Sequence, residues 1–142
     1  MSVGRKSRMA GCIFIPEMIL QLPFDTPSKK NSRVTDTRTG RTFPNKKFND
    51  WHKKAARWVM ANYPRLERFG ADTPVTVKMS FTHGTMRRCD SDNKVSSILD
   101  LLVDLRVIAD DNWTIVRRIE VENTYKKNAP SCTVEIVPHE RV

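Results

Sequence analysis

From about Lys46 to Tyr63 the apolar positions return with a helical period. Phe48, Trp51, Ala55, Trp58 and Val59, with the polar Asn62 at the end, fall on one stripe of a 3.6-residue period. Lys47, Lys53, Lys54 and Arg57 face elsewhere, and Pro64 ends the segment. At this spacing the two tryptophans read as core residues rather than as stacking platforms for bases. Val75 to Thr82 alternates with period two, the mark of a strand with one buried face. A second helix is predicted from near Asp92 to about Leu105, with Val95, Ile98, Leu99, Leu102 and Leu105 on one side. Trp113 to Tyr125 alternates again through Ile115, Ile119 and Val121, interrupted by Arg117 and Arg118. Lys126 to Pro130 reads as a turn, and Ser131 to Val137 as the last strand, a hairpin partner of the one before.

Upstream, Met18 to Pro23 reads as the first strand, ended by Pro23 and the turn-rich Asp25-Thr26-Pro27-Ser28. Val34 to Phe43 has Thr-rich arms around Gly40 and predicts a small hairpin with basic arms. The order is therefore β-α-β-α-β-β, an α/β (α+β) domain with a small mixed sheet and two main helices. Residues 17–142 form this single domain, and residues 1–16 are expected to be a basic, poorly ordered extension.

A chain of 142 residues needs no metal or disulfide staple to bury a core. What composition adds is charge: 25 Lys and Arg against 16 Asp and Glu, a net +9 that favours a polyanionic partner, nucleic acid first and an anionic membrane surface second. The surplus is uneven. Residues 1–70 carry 15 basic and 5 acidic side chains, whereas residues 71–142 carry 10 and 11. Within the second half, residues 90–111 hold six aspartates against Lys94 and Arg106, a window of net −4. The apolar stretch from Ala10 to Ile15 is too short for a signal-peptide core or a membrane span. Cys12, Cys89 and Cys132 form no Cys-x-x-Cys pair, which points to a reducing, cytoplasmic setting. His52, His83 and His139 are scattered and read as surface or packing residues.

The aspartates of that window fall in two clusters. Arg87-Arg88-Cys89-Asp90-Ser91-Asp92-Asn93 leads into the second helix, and Asp110-Asp111-Asn112 follows its end. Each piece has an ordinary structural explanation: Asp92 as an N-cap, Asp90 as a macrodipole partner, Asp-Asp-Asn as a turn. Together they offer the hard oxygen ligands that Mg²⁺ prefers, flanked by basic residues, as metal-dependent phosphodiester chemistry requires. Mn²⁺ is the natural substitute.

At these residues the sequence resembles the RusA-type Holliday-junction resolvases. The likeness begins with Leu22-Pro23-Phe24-Asp25-Thr26-Pro27-Ser28-Lys29-Lys30-Asn31 and continues through Gly40-Arg41-Thr42 and the helix after it. Its signature is Asp90-x-Asp92-Asn93, Asp100 and Asp110-Asp111, and it covers roughly residues 19–137. The resemblance implies a RusA-like fold and a Mg²⁺-dependent endodeoxyribonuclease that resolves four-way junctions. It makes Asp90, Asp92 and Asp111 the catalytic metal ligands, with Asp110 beside them and Asp100 as a neighbour. The expected phosphate-holding residues are Lys29, Lys30, Arg33, Arg38, Arg41, Arg87, Arg88 and Lys94. One departure stands out. Four residues after the second aspartate, where the family usually has a lysine, this chain has Ser96. That leaves open a catalytically weak or inactive branched-DNA-binding protein of the same fold.

Helix geometry adds a constraint. From Asp92 to Leu105 the helix is roughly 20 Å long at ~1.5 Å per residue. Asp111 reaches Asp90 and Asp92 of its own chain only if residues 106–111 run back extended; otherwise the site closes across a two-fold dimer. A homodimer is expected in either case, because a four-way junction is itself two-fold symmetric.

Overall fold

The computed structural model describes residues 5–10, 13–28, 33–35, 37–44, 46–87 and 91–139. Along it lie β1 (Arg5–Ala10), β2 (Ile13–Leu22), β3 (Arg33–Thr35), β4 (Thr42–Pro44), α1 (Lys46–Asn62), β5 (Val75–His83), α2 (Ser91–Asp104), β6 (Val116–Tyr125) and β7 (Ser131–Pro138). From β2 onward the predicted order holds, with β3 and β4 forming the expected small hairpin. Gly40 takes φ +72° in its turn, a left-handed conformation that glycine adopts without a Cβ penalty.

Alternation along β2, β5 and β7 builds one apolar sheet face. Met18, Leu20 and Leu22, then Val75, Val77, Met79 and Phe81, then Cys132, Val134 and Ile136 are all buried. The strand order is β1-β2-β7-β5-β6, mixed because β5 and β6 are parallel while the other pairs are antiparallel. α1 joins this core through Phe48, Trp51, Ala55 and Val59, and α2 through Ile98, Leu99, Leu101 and Leu102. Trp51 is thus a core residue. Trp58 is half-buried, packs edge-on to Phe24 at 5.8 Å, and donates its indole N–H to the Gln21 carbonyl at 2.9 Å. Neither ring stands out as a platform for bases.

α2 ends in a Schellman motif. Arg106 takes φ 61°, its N–H reaches the Val103 carbonyl at 3.0 Å, and the Val107 N–H reaches Leu102 at 3.0 Å. Val107 and Leu102 are both buried, the apolar contact that accompanies this cap. A side chain at the left-handed position costs roughly 1–2 kcal/mol, against about 0.5–1 kcal/mol for the extra freedom of glycine in the unfolded chain. Arg106→Gly should therefore raise stability by roughly 0.5–1 kcal/mol, read as a higher urea midpoint at unchanged slope.

Three features differ from the elements read in the sequence. First, a strand that the sequence reading did not include, β1, pairs antiparallel with an elongated β2, with Ala10 opposite Ile13 and Arg5 opposite Met18. The β-branched and aromatic run Ile13-Phe14-Ile15 favours that extension. Second, β6 does not have a buried alternating face. Only Val116 is buried along it, while Ile119 and Val121 are 44% and 38% exposed. Third, β7 is not the hairpin partner of β6. It inserts between β2 and β5, so the 126–130 connection steps over the end of β5. Two hydrogen bonds fasten that step, Lys126 N–H to His83 O and Asn128 N–H to Gly84 O, both 3.0 Å. Gly84 permits it, since a Cβ there would lie 3.0 Å from Pro130 Cδ and 3.4 Å from its nitrogen.

Candidate active site

β5, α2 and β6 form a parallel strand–helix–strand unit, so α2 runs opposite to the strands. Its first turn lies at the C-terminal end of β5, and its last turn lies where β6 begins. Asp92 and Asn93 occupy the first turn; Lys29, Lys30, Arg88 and Asp90 lie outside the described residues, as do the side chains of Arg33 and Asp92.

The segment after β2 is clamped onto this end of α2. Lys94 is 7% exposed and its Nζ lies 2.9 Å from Asp25 Oδ1. Ser97, fully buried, donates its hydroxyl to the Pro27 carbonyl at 2.6 Å. Lys94 is therefore not an outward-facing phosphate ligand. A buried ammonium needs a partner, and Asp25 supplies it. Ser96, one turn on from Asp92, is exposed. Arg87 is exposed beyond β5, and Arg38 and Arg41 are exposed in the β3–β4 turn. Beneath the clamp lies Cys132, whose thiol is pushed up to about 12 by burial, against smaller opposing effects of Thr26 and Lys94. It is no thiolate nucleophile at neutral pH.

At the other end of α2, Asp110-Asp111-Asn112 forms a solvent-exposed corner. Asp110 accepts the Asp111 backbone N–H at 2.8 Å through Oδ1 and the Asn112 side-chain amide at 3.0 Å through Oδ2. These bonds, the backbone one first, hold its carboxyl below the usual aspartate value. The sign follows: the corner is intact at neutral pH and loosens only as pH falls through that lowered value. Asn112 in turn accepts the Thr114 N–H at 2.9 Å, while its carbonyl accepts from Ile115 and Val116. Both oxygens of Asp110 are spent on the turn. Asp111 thus presents the more available carboxylate, a hard donor suited to Mg²⁺.

Residues 106–111 do not run back along the helix. Val107 is held by Leu102 and by Phe69, whose N–H donates to its carbonyl at 2.9 Å, and the Val75 N–H fastens Ile115 at 2.8 Å. Fourteen residues of α2, roughly 20 Å, separate the turn that carries Asp92 from the Asp111 corner. Among the described residues, no group of three His, Cys, Asp or Glu could hold a metal ion. Asp100 faces α1, with Oδ2 3.7 Å from His52 Nδ1, while His52 Nε2 lies 2.9 Å from Asp104. Sequence reasoning missed both the Lys94–Asp25 and the His52–Asp104 pairs. Partners 69 and 52 residues apart leave no local pattern.

A family model for the endodeoxyribonuclease RusA matches residues 23–137. The chain belongs to the RusA family. The match begins at Pro23, directly after β2, and ends within β7, so it spans the Asp25–Lys94 clamp, the β5–α2–β6 unit and both aspartate clusters. RusA enzymes are Holliday-junction-resolving endonucleases, consistent with the basic first half of this member. No curated protein matches the chain. Among the described residues no helix is long and apolar enough to cross a membrane.

Proposed function

We propose that this RusA-family chain is a Mg²⁺-dependent, structure-selective endodeoxyribonuclease that resolves four-way DNA junctions in the cytoplasm by paired phosphodiester hydrolysis, with Mn²⁺ as a substitute. The observation that carries the reading is the exposed Asp110–Asp111 corner, whose Asp110 carboxyl is held below the usual aspartate value by its own turn, in a chain matched by the RusA model over residues 23–137. Asp90, Asp92 and Asp111 would hold the metal, and Asp110 would aim Asp111 and add charge beside it. When bound, the metal supplies an acidified water and stabilises charge on the leaving oxygen. The basic side chains of the first half, Lys29, Lys30, Arg33, Arg38 and Arg41, hold phosphates on either side, and Arg87 and Arg88 do so next to the carboxylates. The enzyme acts as a homodimer, because two symmetric incisions need two sites.

A labelled four-way junction and a linear duplex, each with and without Mg²⁺, test this beside an Asp90→Asn variant. Paired nicks on the junction that need both the metal and Asp90 are expected. Equal cutting of the duplex, or cutting indifferent to Asp90, would sink the proposal. Tight junction binding without incision would instead favour a binding protein. Ser96 motivates that second reading, since Lys94 is buried against Asp25 and cannot stand in for the missing lysine.

The phosphate contacts make a separate prediction. Exposed Arg87 should contribute to the salt dependence of junction binding and buried Lys94 should not. Arg87→Ala is expected to lower the slope of log K against log salt by about 1, with Lys94→Met leaving it unchanged. Binding titrations across a salt series check this.

A further inference from the structure

Of the chain's three tryptophans, Trp51 belongs to the core and Trp58 is half-buried, whereas Trp113 is 74% exposed. The buried contacts of its segment come from Ile115 and Val116 instead. A single exposed apolar residue is ordinary on a protein surface. What sets Trp113 apart is the setting built around it.

Two features make that setting. The first is the turn that carries Asp111. Past Asp111, the Asn112 side chain accepts the Thr114 N–H at 2.9 Å, and the Asn112 carbonyl accepts from Ile115 and Val116 at 3.1 and 2.9 Å. The backbone is thus fixed on both sides of Trp113, and its Cα lies within about 7 Å of that of Asp111. The second is a bulge at the start of β6. The register with β5 passes from Val75 opposite Val116 to Thr76 opposite Arg118, so Arg117 is the extra residue. A bulge re-aims a side chain, and the Arg117 guanidinium sits over the Trp113 ring, 5.5 Å from its centroid. Arg118, in register, turns to Glu120 at 3.4 Å. The two arginines that interrupt the alternation of this strand therefore do different things: one continues the ladder and the other backs the indole. At 74% exposure the ring keeps a face open to solvent.

We propose that Trp113, backed by Arg117, is a stacking platform for an unpaired DNA base next to the phosphate at the Asp111 corner, and that it favours branched over linear DNA. The proposal rests on the nuclease reading for the presence of DNA at that corner. Every base has a π-face, so an indole takes any of the four, and a guanidinium beside it suits the neighbouring phosphate. In an intact duplex both faces of each base are covered by the stack, and freeing one costs a few kcal/mol. At a branch point the stack is already interrupted, so a base turns out at less cost. The platform therefore reads the structure of the DNA and not its sequence.

Binding to a four-way junction without Mg²⁺, beside a fully paired linear duplex, tests this in the absence of cutting. Trp113→Ala should weaken junction binding by about 5- to 100-fold, as loss of one base–aromatic stack does, with Trp113→Phe within about 3-fold of wild type and duplex binding within about 2-fold for both. Fluorescence gives a direct readout. The junction should quench wild-type emission and the duplex should not, while Trp113→Phe, which keeps Trp51 and Trp58, should show little quenching. Circular dichroism and sedimentation should match wild type, since the side chain packs against no core.

Equal weakening on junction and duplex, no weakening at all, or quenching that survives Trp113→Phe overturns the platform. So does altered sedimentation of Trp113→Ala, which would mean that the indole packs against protein. Mg²⁺-dependent cutting by the wild type beside any of these results leaves the nuclease reading standing. Absence of wild-type cutting defeats the nuclease reading, whereas the quenching still decides the platform.

Discussion

Asp111→Asn is expected to lower Mg²⁺-dependent junction cutting by at least about 100-fold, given that loss of even an outer-shell group at a metal site costs 10–100-fold. The substitution keeps shape and hydrogen-bonding size and removes the charge. The corner should survive it, because the turn is held chiefly by the Asp111 backbone N–H and the Asn112 amide on Asp110, with the Asp111 side chain adding least. Folding and junction binding should accordingly remain near wild type, so that the loss falls on kcat. Asp100→Asn is the matched control. Asp100 faces His52 across the helix pair, and its replacement should leave cutting within a few-fold of wild type while slightly loosening α1 against α2. Single-turnover cleavage of a labelled junction across a Mg²⁺ titration checks both. Equal losses at Asp100 and Asp111 would contradict the assignment.

Phe81→Ala should destabilise the fold by about 3–5 kcal/mol, the usual range for truncating a buried aromatic residue. Phe81 is 2% exposed and lies on the core face of β5, opposite Cys132 on β7. The void would open at the point where the central strand, the neighbouring strand and the helices meet. Against a total of roughly 5–15 kcal/mol for a typical domain, that loss is a large fraction. Urea unfolding should show a much lower midpoint with an unchanged slope; a changed slope would mean that the unfolded or native ensemble had altered instead. Exposed Met60, also a large apolar residue, is the contrast, and its truncation should cost less than about 0.5 kcal/mol.

Both helices and the central strands were readable from spacing alone. Phe48, Trp51, Ala55 and Val59 are buried because they share one side of a helix, and Val75, Val77, Met79 and Phe81 because they share one side of a strand. Those are local periodicities, set by backbone geometry, and any neighbour that supplies a core will bury them. The two aspartate clusters were equally legible, since residue type and order carry them.

Partner choice was not legible. Ser131 to Val137 has the alternation of a strand, but alternation does not say whether β6 or β5 lies beside it. The answer depended on a core that draws β7 between β2 and β5, and on Gly84 letting the chain cross. Lys94 looked like a DNA contact because charge suggests solvent, yet its side chain is buried and its ammonium is paired with Asp25, far off in sequence. The exposure of Ile119 and Val121 likewise goes with the place of β6 at the end of the strand order. Periodicity is a property of neighbours along the chain, whereas burial, ion pairing and the separation of the two carboxylate clusters are properties of which distant segments meet.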